Sequence, residues 1–149
     1  MTLWMHTLPT PSAGPIREIC LGESVQLDAF GAGDSSASYT YQWWPQASLD
    51  DPTAENPWAT PDSTEQYHLI VTSSWGCDSP LDSVQVTVKP TPLAEAGDNL
   101  QLCQGDSVLL NGSYYYTTTG PADPSQIYYN WSPNQTLDDP TLAQTMSWP

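Results

Sequence analysis

Two strong bases, Arg17 and Lys89, are all that this 149-residue sequence contains, against 17 acidic residues and a formal net charge of −15. A chain so poor in Lys and Arg cannot neutralise a run of phosphates or hold an anionic lipid surface, so nucleic acid and anionic membrane are not its expected partners. Long apolar runs are missing too, and no stretch approaches the ~20 residues of a membrane-spanning helix. Residues 1–14 have neither the basic start nor the continuous apolar centre of a secretion signal, so any export signal is expected outside this sequence. Three cysteines with no Cys-x-x-Cys spacing, and only His6 and His68 beside them, make neither a redox motif nor a zinc constellation. Fifteen Pro and nine Gly are spread so evenly that few windows can hold three helical turns.

What the chain does have is aromatic residues and a repeat. Seven Trp and eight Tyr indicate a folded protein with a buried core rather than a disordered linker. The stretch Tyr129-Asn-Trp131-Ser-Pro133 followed by Leu137-Asp138-Asp139-Pro140-Thr141 repeats Tyr41-Gln-Trp43-Trp-Pro45 followed by Leu49-Asp50-Asp51-Pro52-Thr53, at an offset of 88 residues. A second match, Leu102-Cys103-Gln-Gly105-Asp-Ser107-Val108 against Ile19-Cys20-Leu-Gly22-Glu-Ser24-Val25, lies at an offset of 83. Duplication at this spacing identifies a tandem array of one small module.

The alignment predicts three segments. Leu3-Trp-Met-His-Thr-Leu8-Pro9-Thr10-Pro11 resembles Val84-Gln-Val-Thr-Val88-Lys-Pro90-Thr91-Pro92 in pattern, so residues 1–14 are expected to be the terminal strand of a preceding repeat and a linker. Residues 15–90 form one complete module. Pro149 aligns with Pro61, so residues 91–149 are expected to be the N-terminal half of a second.

Alternation of period two predicts strands at 24–29, 39–43, 66–72 and 82–88. Val25 and Leu27 should face inward, and Tyr39, Tyr41 and Trp43 should share one face. Short alternating strands with a turn every 8–12 residues predict an all-β fold built of antiparallel β-sandwich modules. Trp43 and its repeat Trp131 are the expected core-filling side chains, with Tyr41 and Tyr129 beside them. Leu49 and Leu137 are expected to tuck back under the sheet. In the loop that follows each Trp, Pro52 presets the backbone and an Asp side chain accepts nearby amides.

Taken in order, Cys-x-Gly-[Glu/Asp]-Ser-Val, Tyr-x-Trp-x-Pro, Leu-Asp-Asp-Pro-Thr, Tyr-x-Leu-x-Val-Thr, Gly-Cys and Val-x-Val-x-Val resemble the Ig-like and PKD-like repeats of large Bacteroidota cell-surface proteins. Adhesins, gliding-associated filaments and other type IX secretion cargo carry such repeats. The Trp-Asp-Phe-Gly-Asp-Gly signature of PKD domains is absent, with Trp-x-Pro in its place. The resemblance implies tandem Ig-like modules at the bacterial cell surface. In such a sandwich the loops holding Cys20 and Cys77 can lie at one end, which makes Cys20–Cys77 the expected disulfide of an extracellular module. Cys103, the repeat partner of Cys20, is then expected to be unpaired.

No catalytic constellation is present: there is no Gly-x-Ser-x-Gly, no His-Glu-x-x-His and no phosphate-cradling glycine loop with Lys. The adjacent pairs Asp50/Asp51 and Asp138/Asp139 point opposite ways on an extended chain and suit a turn better than acid–base chemistry. Among cofactors only calcium has candidate ligands, Asp34, Asp50, Asp51 and Asp62, and they lack the ordered Asp-x-Asp-x-Asp-Gly loop. The bacterial resemblance also makes Asp-Ser followed by Thr or an apolar residue a candidate O-glycosylation site, which marks Ser63, Ser83 and Ser107.

The expected function is that of a non-catalytic spacer in a surface stalk, filament or adhesin, with neighbouring repeats as partners and a stiff Pro-rich joint at Lys89-Pro-Thr-Pro92. The alternative is an adhesive module whose exposed aromatics, such as Trp44, Trp58, Trp75, Trp148 or the run Tyr114-Tyr115-Tyr116, bind carbohydrate or protein. A narrower reading has residues 2–8 donated to a neighbouring chain in head-to-tail assembly.

Overall fold

A computed structural model describes residues 5–116 and 124–149. The chain divides into two compact units, Met1–Lys89 and Pro90–Pro149. Among the described residues the regular structure is strand, apart from one 3-10 turn at Pro124–Gln126.

The first unit contains β1 (Thr10–Ser12), β2 (Arg17–Cys20), β3 (Val25–Gln26), β4 (Phe30–Ala32), β5 (Tyr39–Trp44), β6 (Trp58–Ala59), β7 (Glu65–Ser73) and β8 (Asp82–Lys89). The four strands β2-β8-β7-β5 form one sheet, and the ribbons β1-β4 and β3-β6 lie across the core from it. Period-two alternation builds the interior: β7 turns Tyr67, Leu69 and Val71 inward, and β8 turns Val84, Val86 and Val88 inward. The opposite layer supplies Ala13, Leu27, Ala29 and Ala59, and Trp43 of β5 fills the middle with no exposed surface. The result is an Ig-like β-sandwich.

One pairing departs from an all-antiparallel sheet. β2 runs parallel to β8, with Arg17 opposite Val86 and Cys20 opposite Lys89. Both strong bases are held here, Arg17 by Asp28 and Lys89 by Glu18, the latter at 2.6 Å.

The parallel pairing overturns the expected Cys20–Cys77 disulfide. Cys20 lies at the end of β2, beside the end of β8. Cys77 follows β7, where its carbonyl accepts from the Ser73 amide at 2.9 Å. Because β7 and β8 are antiparallel, these are opposite ends of the sheet, separated by most of the nine residues of β7, on the order of 27 Å of strand. A disulfide needs Cα atoms within about 7 Å. Had β2 run antiparallel to β8, Cys20 would sit beside the start of β8 and near Cys77. All three cysteines are free, with Cys20 and Cys103 exposed and Cys77 partly buried.

The segment before residue 15 also differs from the pattern-based expectation. β1 pairs with β4, Thr10 opposite Ala32, and Pro9 and Ala13 are buried in the first unit. Residues from Pro9 onward therefore pack with the module that follows them. Of the segment 2–8 expected to act as a donor strand, residues 2–4 lie outside the described residues.

The second unit contains β9 (Pro92–Glu95), β10 (Val108–Asn111), β11 (Ser113–Tyr116) and β12 (Gln144–Ser147), paired as β9-β11 and β10-β12. These ribbons repeat β1-β4 and β3-β6. Ser12 opposite Phe30 becomes Glu95 opposite Ser113, and Val25 opposite Ala59 becomes Val108 opposite Ser147.

Candidate functional site

The most specific local structure is the loop after each Trp, and it is the same in both units. The Trp43 amide donates to the Pro52 carbonyl at 2.9 Å, and the Trp131 amide donates to the Pro140 carbonyl at 2.9 Å. The indole N–H of Trp43 donates to the Ala54 carbonyl at 3.2 Å, and that of Trp131 to the Leu142 carbonyl at 2.9 Å. Each indole therefore pins the far end of its own loop. Leu49 bridges to Ala59 and Leu137 to Ser147, so the loop folds back under the ribbon. Trp44-Pro45 and Ser132-Pro133 are both cis.

The two aspartates of Leu-Asp-Asp-Pro-Thr do different work. Asp51 accepts from the Thr53 amide at 2.9 Å and the Thr53 hydroxyl at 2.7 Å, and Asp139 does the same with Thr141 at 2.8 and 2.6 Å. These bonds, the Thr hydroxyl first, hold both carboxyls below the ordinary carboxylate range. Asp50 instead accepts the Trp58 amide at 2.8 Å and the Asp51 amide at 2.7 Å. Proline between Asp and Thr presets the turn that brings the amide to the carboxylate.

Asp34 caps another loop through the Ser36 hydroxyl and amide, which lower its pKa, with His6 3.8 Å away. Asp34, Asp50 and Asp51 are thus spent on backbone and hydroxyl partners, and Asp62 is exposed. Among the described residues no group of three or more His, Cys, Asp or Glu converges as a metal would require. The calcium candidates are not brought together.

The turn Cys-x-Gly is also repeated. Glu23 N–H donates to the Cys20 carbonyl at 3.0 Å and Asp106 N–H to the Cys103 carbonyl at 3.1 Å, with Gly22 and Gly105 at φ of 89° and 92°. A positive φ at the third turn position calls for glycine.

Of the expected core side chains, Trp43 is fully buried and Tyr41 and Leu49 pack partly buried against the core. Trp131, Tyr129 and Leu137 are partly buried in the second unit. The Tyr41 hydroxyl donates to Glu55 at 2.8 Å, and burial together with that carboxylate pushes its pKa up to about 12. The buried Tyr67 is also pushed up to about 12, by burial first; the Ser48 hydroxyl 2.6 Å away opposes the shift and Glu65 adds to it. Both upward shifts come from burial first and a neighbouring carboxylate after it. His68 is partly buried beside Trp44 with ring centres 5.8 Å apart. Ser63, Ser83 and Ser107 are exposed, and Ser83 accepts from Gln66 at 3.0 Å.

The surface carries scattered aromatics. Trp58, Trp75 and Trp148 are each about half exposed, Tyr115 likewise, whereas Trp44, Tyr114 and Tyr116 are partly buried. Pattern reading did not find the contact at Trp75, where His6 stacks at 4.2 Å and 8°. His6 and Trp75 are far apart in sequence and no motif links them. A second feature invisible in the sequence is an open, largely apolar recess of about 680 Å³ in the second unit, bounded by Ala96, Gly112, Tyr114, Tyr129 and Trp131.

Among curated proteins none matches the chain in sequence. Similar solved structures include Drosophila OTK, extracellular domains 3-5, at 9% identity and TM-score 0.48, covering 96% of this chain and 53% of that one. Another is the I-band fragment I67-I69 from titin, at 12% identity and TM-score 0.48, covering 97% and 56% respectively. The family model "Ig-like domain CHU_C associated" matches residues 8–90. That match spans more than half of the chain and strands β1 to β8, and the chain belongs to the family of CHU_C-associated Ig-like domains.

Proposed function

We propose that this chain is a non-catalytic structural segment of an extracellular surface stalk, filament or adhesin, of the Bacteroidota type IX cargo kind, in which Ig-like modules act as spacers. The observation that carries the reading is the repeated Trp loop. In both units the indole and the loop carboxylate are consumed by their own backbone, as a load-transmitting scaffold requires and a reactive centre does not. Neighbouring repeats are its partners, and the Pro-rich joint at Lys89-Pro-Thr-Pro92 spaces one module from the next. Exposed Ser63, Ser83 and Ser107 are the attachment points for O-glycans in the native host, which intact-mass measurement of host-derived protein tests.

A second reading rests on Trp58, Trp75 and Trp148, whose exposed rings suit sugar faces or a protein partner. A glycan array and a host-cell binding assay with the whole chain separate the two. The spacer reading expects no binding above background. Saturable binding that Trp75→Ala abolishes would replace it with the adhesive one.

A further inference from the structure

The acidic residues of the first unit avoid one surface. Within β5, β7 and β8 the carboxylates are Glu65 and Asp82, and both belong to the inward set of their strands. Glu65 accepts from the Ser48 hydroxyl at 2.7 Å, and Asp82 accepts from the Ala13 amide at 2.8 Å. The outward face of these three strands therefore carries no acidic side chain. Carboxylates of the first unit reach its margins, where Asp78 accepts from the Thr72 hydroxyl at 2.8 Å and Glu18 is paired with Lys89.

Strand register gives the face an order. Trp44 lies opposite His68, which lies opposite Ser83 across β7; Gln42 lies opposite Ile70, and Gln66 opposite Gln85. Trp44, His68 and Ile70 are partly buried and form an apolar centre, while Gln42, Gln66, Ser83 and Gln85 around them are exposed. A centre that contains Trp, a rim of amides and hydroxyls, and depletion of charge are the anatomy of a protein–protein interface.

Two properties select the occupant. With a net charge of −15, two copies of this chain repel wherever their carboxylates meet, so a charge-free face is where they can approach. Amides and hydroxyls each donate and accept, so a rim built from them is complementary to itself, as a two-fold contact between identical surfaces requires. A basic partner would find its match elsewhere on the acidic surface.

We propose that the outward face of β5, β7 and β8 is the surface through which two copies of this chain associate side by side, the Trp44–His68–Ile70 centre of one against that of the other. Three strands ~4.8 Å apart and about six residues long make a patch on the order of 15 by 20 Å. A pair of copies then buries roughly 600 Å², below the ~1,200 Å² of a stable dimer. One such contact is weak, and it gains strength where many modules lie in register along two stalks. That use of the contact rests on the stalk or filament reading; the contact itself is measured in solution, and its failure would leave the spacer reading, which needs only neighbouring repeats, untouched.

The test is sedimentation equilibrium of the whole chain with reductant present, from about 0.05 to 2 mM, together with amide chemical shifts over the same dilution. Reversible association is expected to strengthen about 3-fold or more between about 50 and 500 mM NaCl, because salt screens the repulsion between copies. Concentration-dependent shifts should fall on residues 40–44, 66–72 and 83–87. Gln42→Glu with Gln85→Glu places four carboxylates in the contact and should weaken association about 10-fold or more, whereas Gln101→Glu with Gln104→Glu adds the same charge off the face and should not. No association at the highest concentration and salt, association weakened by salt, or equal effects of the two double variants overturns the proposal. Maltohexaose that shifts the same amides in dilute, monomeric protein would assign the face to a neutral glycan and overturn it as well.

Discussion

Replacing Trp43 and Trp131 by alanine, one at a time, uses the duplication as an internal control on core packing. Trp43 has no exposed surface and its N–H is bonded to the Ala54 carbonyl at 3.2 Å. A buried Trp removes about 150–250 Å² from water, which at ~25 cal/mol per Å² amounts to about 4–6 kcal/mol as an upper estimate. Measured losses for such truncations run at about 3–5 kcal/mol, and Trp43→Ala is expected in that range. Trp131 makes the equivalent hydrogen bond at 2.9 Å but is only partly buried, so Trp131→Ala should cost about 1–3 kcal/mol. Because removing Trp changes fluorescence, the assay is amide exchange, reading the first unit at Leu69, Val71 and Val86 and the second at Leu137 and Met146. A loss under about 1 kcal/mol for Trp43→Ala, or a larger loss for Trp131→Ala than for Trp43→Ala, would refute the assignment of Trp43 as the centre of the sandwich.

Gly14→Ala sets a Cβ 2.5 Å from the Asp28 carbonyl oxygen at a φ of 86°, so it should destabilise the first unit by about 1–3 kcal/mol in urea denaturation. Gly22→Ala has the same backbone demand but open space around it and should cost about 1–2 kcal/mol, so the ratio of the two separates clash from backbone strain. Stability should be lost at both pH extremes. Asp34, Asp51 and Asp139 have depressed native pKa values, so the unfolded chain takes up protons first, and their contribution, present above about pH 4, fades as pH falls through the native values. Tyr41 and Tyr67 are raised to about 12, so the unfolded chain ionises first, and their contribution, intact below pH 10, is lost between 10 and 12. Urea midpoints at pH 3, 7 and 11 check both arms, and a midpoint at pH 11 above that at pH 7 would contradict the second. Cys20→Ser with Cys77→Ser should leave the melting temperature unchanged under oxidising and reducing conditions alike, because the two thiols sit at opposite ends of the sheet.

Much of the fold can be read from residues whose physics is local. The alternation at 66–72 and 82–88 corresponds to β7 and β8, and that at 39–43 to β5, because a half-buried strand imposes period two on its own sequence. Of the short strands only β3 was legible, and it keeps just Val25–Gln26 of the alternation at 24–29. β1 carries Pro11, β4 is built around Gly31, and β2 and β6 have four residues or fewer, so no period is established. Strand direction leaves even less trace. Nothing in Arg17-Glu-Ile-Cys20 distinguishes a parallel from an antiparallel neighbour, and the cysteine pairing failed on that one point. The Trp loop shows the reverse case: Pro, Asp and Thr at fixed spacing act through hydrogen bonds within a few residues, so a motif met twice in sequence is met twice in structure. The recess in the second unit was out of reach because its lining comes from three segments, 92–96, 112–114 and 126–132, that no motif links.

The central claim is that one module architecture underlies both halves of the chain, and the indole hydrogen bonds test it most directly. An NMR measurement of through-hydrogen-bond couplings should show the Trp43 indole nitrogen coupled to the Ala54 carbonyl and the Trp131 indole nitrogen coupled to the Leu142 carbonyl. Coupling at Trp43 with none at Trp131, or a Trp131 indole bonded to a different carbonyl, would contradict the account.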